Sequence, residues 1–175
     1  MNSRLLVLVA AIVAAAALRL VPHPPNFTPV GAMALFSAAT LGRRPLAFVA
    51  PFAAMLLSDA VLGFHASMPF VYLGLALTVV VGWLALQRRS AIRVGLAALA
   101  SSVLFFLITN FGVWAIGGMY PQTLGGLAAC YVAGIPFFQN SVAGDLFYAA
   151  VMFGGLALLE RAVPALRAEA APQPA

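Results

Sequence analysis

Two carboxylates stand inside apolar sequence, Asp59 near the end of the third apolar run and Asp145 near the start of the sixth. Three chemistries fit such residues. Together they could share a proton, as the acid pair of an intramembrane hydrolase does. Separately, each could be neutralised by Arg19, which lies near the outer end of the first apolar run. Each could also offer an oxygen to a bound solute, and an Arg–Asp pair in a pocket wall can do both. His65 follows Gly63 and Phe64 in a short connection; it reads as an exposed loop histidine, with ligand or metal coordination as the alternative. Cys130 reads as a small buried hydrophobe, because nothing near it in sequence would activate its thiol. As the only cysteine it also excludes an intrachain disulfide and a cysteine-based metal cluster. Asn110 must be satisfied by another helix or by a ligand.

The elements that hold these residues follow from composition. Of 175 residues, 64% are hydrophobic and 7% charged, with mean hydropathy +1.06. A soluble domain, with about a quarter of its residues charged, is excluded. Apolar runs cover Leu5 to Val21, Val30 to Leu41, Leu46 to Leu62, Pro69 to Leu86, Val94 to Ile116 and Val142 to Leu159. They predict an all-α membrane protein with six transmembrane helices in one domain (1–163), followed by a disordered cytoplasmic tail (164–175). The second run is short for a span and is expected to be tilted, extended or broken. The first resembles a signal peptide in composition and is read as a retained helix.

All nine basic residues are arginine and the net charge is +5. With both termini in the cytoplasm, Arg43, Arg44, Arg88, Arg89, Arg93, Arg161 and Arg167 fall on the inner side, and Arg19 alone lies near the outer one. This is a positive-inside pattern in an inner-membrane protein rather than a nucleic-acid site. The outer connections are then Pro22 to Thr28, Gly63 to Met68 and Gly117 to Asn140. Within the last, Thr123 to Ile135 is too short to cross and reads as an interfacial or re-entrant segment that could cap a cavity.

Polar side chains concentrate in the outer half, and in hydrocarbon they are expected to face an interior cavity. The expected solute contacts are Asn26, Asp59, His65, Asn110, Trp114, Tyr120, Gln122, Asn140, Asp145 and Tyr148. The aromatics of this layer, from Phe27 and Phe64 through Phe70, Tyr72, Phe111 and Tyr131 to Phe137, Phe138 and Phe147, read either as an interfacial belt or as stacking surface for a flat ligand. On the first helix Ala10/Ala14 and Ala11/Ala15 form small-residue pairs suited to close helix contact.

Several stretches carry a family resemblance: His23 to Ala32, Ser58 to His65, Thr109 to Trp114, Met119 to Thr123, Cys130 to Asn140 and Gly144 to Tyr148. Across nearly the whole chain except its tail, the sequence resembles an uncharacterised bacterial family of putative transport proteins. That family is similar to the S components of energy-coupling-factor vitamin transporters. The resemblance implies a six-helix bundle that binds a vitamin or related heteroaromatic solute from outside. It also implies a transmembrane coupling subunit with ATPases as partner, contacted through Ala10, Ala11, Ala14 and Ala15. One solitary cobalamin-binding group of S components uses a cysteine near the third connection; here that region offers His65 instead. No phosphate-binding loop is present, so ATP hydrolysis would lie elsewhere. No cofactor is expected, and the enzyme and structural-subunit readings stand as alternatives.

Overall fold

The computed structural model describes residues 3–42 and 45–166. Six α-helices follow one another: α1 (Ser3–Leu18), α2 (Val30–Leu41), α3 (Leu46–Leu62), α4 (Met68–Ala85), α5 (Ala91–Ile116) and α6 (Leu124–Ala162). Among the described residues there is no strand. Three helices, α4, α5 and α6, are long and apolar enough to cross a membrane; α1, α2 and α3 are shorter apolar helices.

Local chemistry sets the ends. Thr123 and Ser90 cap α6 and α5 by accepting from the Gly126 and Arg93 N–H groups, at 3.1 and 3.3 Å. Proline opens α2, α3 and α4, where a missing N–H costs nothing. Gly63, at φ 104°, ends α3 in a conformation that side chains disfavour.

Two elements depart from expectation. The interfacial segment and the sixth span are one 39-residue helix, α6, with Pro136 inside it. The polar run Gln139–Asn140–Ser141 resembles punctuation, yet a helix continued through it keeps the backbone bonded where water is scarce. Of the expected tail, Pro164–Leu166 forms a 3-10 helix with Leu166 buried, and residues 167–175 lie outside the described residues. Residues 43, 44 and 167, three of the arginines behind the orientation reading, lie outside the described residues.

The short run α2 is the middle of the bundle. Ala32, Met33, Ala34 and Leu35 are wholly buried and Phe36 nearly so, with α3, α4 and α6 packed around them. Twelve residues reach only about 18 Å, well short of an apolar layer of about 30 Å. A helix surrounded by protein need not match the layer by itself. On α4, Gly82 lies so close to Ala38 and Leu35 that a side chain would not fit. The two alanine pairs of α1 part company: Ala15 is buried and Ala11 half-buried, whereas Ala10 and Ala14 are exposed.

Candidate functional site

Because α2 begins deep in the bundle, space remains above its first turn, and a cavity of about 550 Å³ occupies it. The three connections expected on the outside all reach its rim, through Asn26 and Thr28, His65 and Ser67, and Met119 and Tyr120. Helices α4 and α5 supply walls that include Val71, Leu75, Phe105 and Val113.

The α5–α6 register helps make the room. Near its start α6 hugs α5: the Tyr131 hydroxyl donates to the Leu107 carbonyl at 2.7 Å, and Gly134 packs on Phe106 and Asn110. Phe138 still meets the Phe106 ring, and the next tie among the described residues is Ser102 to Asp145. From Phe138 to Asp145 α6 advances seven residues while α5, from Phe106 to Ser102, advances four. The stretch that follows Pro136, whose ring removes a helix bond and favours a bend, carries this surplus. Phe137 and Ser141 on that stretch line the cavity. Farther on, α6 is drawn onto the α1–α2 connection, with Asn140 Nδ2 donating to the Pro25 carbonyl at 2.9 Å and Gly144 against the Phe27–Thr28 backbone.

Asp145 lies at the cavity floor. The Ser102 hydroxyl donates to its Oδ2 at 2.6 Å, and the Ala32 N–H also bonds to it. Helix α2 has Pro29 at its N-cap and no side-chain cap of its own, so Asp145 provides from another helix the acceptor that α2 lacks. A Cβ at position 31 would run into this carboxyl group and force it to shift, so glycine is what lets Asp145 sit there undisturbed.

Asp59 has a different setting. Arg19 Nη1 donates to its Oδ1 at 3.0 Å and also to Ser58 Oγ and, at 3.4 Å, the Met55 carbonyl. Tyr72 donates to Oδ2 at 3.1 Å. Asp59 is therefore buried behind Arg19, which itself forms part of the cavity wall. Arg19 neutralises Asp59 but not Asp145, and among the described residues no hydrogen bond joins the two carboxylates.

Of the expected solute contacts, Asn26, His65, Asn110, Tyr120 and Asp145 line the cavity. The other five are engaged elsewhere. Asp59 holds Arg19. The Trp114 indole donates to the Pro121 carbonyl at 3.0 Å, and Gln122 donates to the Trp114 carbonyl. Asn140 is tied to Pro25, and Tyr148 packs on Phe27 and Phe147. Most of the aromatic layer likewise fastens helices in pairs, such as Phe70–Phe111 and Phe106–Phe138. Only Tyr120 and Phe137 from that set face the cavity, joined by Phe105. His65 shares a hydrogen bond of 3.0 Å with Ser67 Oγ. Cys130 is buried in the wall with Sγ 3.4 Å from the Asn110 carbonyl. Among the described residues no three His, Cys, Asp or Glu side chains gather as metal ligands.

Sequence reasoning missed Thr78 and Ser101, which lie deeper than the outer layer. Thr78 satisfies itself by donating to the Gly74 carbonyl at 3.0 Å. Ser101 is 1% exposed, lines the cavity, and among the described residues its hydroxyl has no partner. The adjacent pair Ser101–Ser102 in an apolar span was the available signal. It is a weak one, because a serine in a helix commonly bonds back to its own preceding turn.

Residues 1–166 match the model of a family of unknown function (DUF6580), and the chain belongs to that family. This agrees with the sequence reading in so far as that reading assigned an uncharacterised family. No curated protein and no solved structure matches the chain.

Proposed function

We propose that this family member is a multi-pass inner-membrane protein that takes a small organic solute from outside into the cavity above α2, as the S components of vitamin transporters do. The observation carrying the proposal is the cavity itself: about 550 Å³, with apolar walls and a few buried polar groups. That size and mixture suit a small-molecule site. A bundle held together only by its polar layer would have no use for such a space.

All six helices cross in this reading, with α2 inside the bundle rather than against lipid, and both termini are cytoplasmic. The arginines of the α2–α3 and α4–α5 connections support that orientation, and the cavity rim is built from the opposite connections. Asp59 and Asp145 have separate partners, which favours binding over shared-proton hydrolysis. Coupling to an ATPase-driven membrane subunit would use the exposed Ala10/Ala14 face of α1. Isothermal titration of the purified protein with a panel of vitamins and related heteroaromatic compounds tests the reading. One saturable ligand, displaced by no unrelated solute, is the expected result. Binding that persists unchanged when Phe105, Phe137 or Asn110 is altered would assign the ligand to another surface and overturn it.

A further inference from the structure

From the groups at the cavity floor, and resting on the solute-binding reading above, we infer that the solute carries an N–H cation, a protonated amine or amidinium, which docks between Asp145 and Ser101. Three observations converge there. Asp145 is buried, reaches the cavity, and has among the described residues no cation beside it, because Arg19 is given to Asp59. The Ser102 hydroxyl and the Ala32 N–H, its hydrogen-bond donors among the described residues, leave part of its acceptor capacity unused. One position before Ser102, the Ser101 hydroxyl lines the same cavity, nine-tenths or more buried and, among the described residues, without a partner.

An orphaned buried hydroxyl in a cavity that also holds a buried carboxylate is a costly arrangement for an empty site and a well-matched one for a donor group. Charge points the same way. Arg19 and Asp59 cancel, and the first turn of α2 offsets Asp145 by roughly half a charge. The negative charge that remains favours a monocation over a neutral or anionic group. A quaternary ammonium would lack the N–H donors that Asp145 and Ser101 can accept, and an anion would meet Asp145 directly. Beyond this pole, Val30, Leu75 and Phe105 offer apolar surface to the body of the solute.

Three probes with one apolar body and different charge test this: phenylpropylamine, phenylpropanol and phenylpropanoate, titrated calorimetrically into the detergent-solubilised full chain and into empty micelles. The amine is expected to bind at least about tenfold more tightly than the alcohol, with the carboxylate weakest. Ser101→Ala should weaken the amine several-fold, and Asp145→Asn should erase its advantage over the alcohol. If Asp145→Asn does not fold, the wild-type ranking and Ser101→Ala decide. Equal or inverted ranking of amine and alcohol, no binding by any probe, or a preference untouched by both substitutions overturns the inference. Such outcomes leave the solute-binding reading to its own vitamin panel, which does not depend on charge.

Discussion

Replacing Gly31 with alanine should destabilise the protein although alanine is the better helix former. In an ordinary helix interior the change would gain about 1 kcal/mol. Here the new methyl group would occupy the place of the Asp145 carboxyl group, pushing it from the Ala32 N–H and straining its 2.6 Å bond with Ser102. Each bond to a carboxylate is worth about 1.5–3 kcal/mol. Losing one outright and weakening the other gives a net cost of about 1–3 kcal/mol after the propensity gain. For a chain of this size that corresponds to a melting temperature lower by about 3–10 °C. Cys130, the single cysteine and a buried one, makes the assay direct: a maleimide dye that fluoresces on thiol attachment reports unfolding. The double variant Gly31→Ala/Asp145→Ala should fall short of the summed single effects, because the clash disappears with the carboxylate. A Gly31→Ala protein as stable as the parent, or additive single effects, would refute the role assigned to Asp145 at the start of α2.

Other expected outcomes follow from the same geometry. Arg19→Ala strands Asp59, which is 2% exposed, and should cost about 3–5 kcal/mol in the same dye assay; removing both charges with Arg19→Met/Asp59→Leu should recover much of it. Ser101→Ala removes a hydroxyl that has no partner and should raise the stability of the solute-free protein by about 1 kcal/mol while weakening solute binding, a divergence read by melting and titration in parallel. In intact cells a membrane-impermeant maleimide should label Ala66→Cys, between α3 and α4, and should reach Gln87→Cys, between α4 and α5, only after the membrane is opened. The reverse pattern would invert the proposed orientation.

How far the sequence could be read depended on whether a feature is local. Helix α3 begins and ends where its apolar run does, because Pro45 and Gly63 mark its limits chemically. The continuity of α6 was hidden by Pro136 and the polar Gln139–Ser141 run, both of which usually signal a break. Of the residues grouped by depth, Asn26, Asn110 and Tyr120 line the cavity. Tyr148 and Trp114 are turned to other partners, since depth does not say which way a ring turns around its helix. The pairing of Asp59 with Arg19 rather than Asp145 with Arg19 is a matter of which helices are neighbours, and that is tertiary information. Ser101 escaped because its hydroxyl is the ordinary one for a helix; only the cavity beside it makes it unusual.

The central claim, that the cavity above α2 holds a small organic solute, is tested most directly by native mass spectrometry of the protein extracted gently from its own host's membrane. The expected result is a small-molecule adduct that survives mild activation, is released on denaturation, and is lost in a variant whose cavity is altered at Asn110 and Phe137. Protein that carries no adduct after gentle extraction, and then takes up none of the vitamin panel, would contradict it.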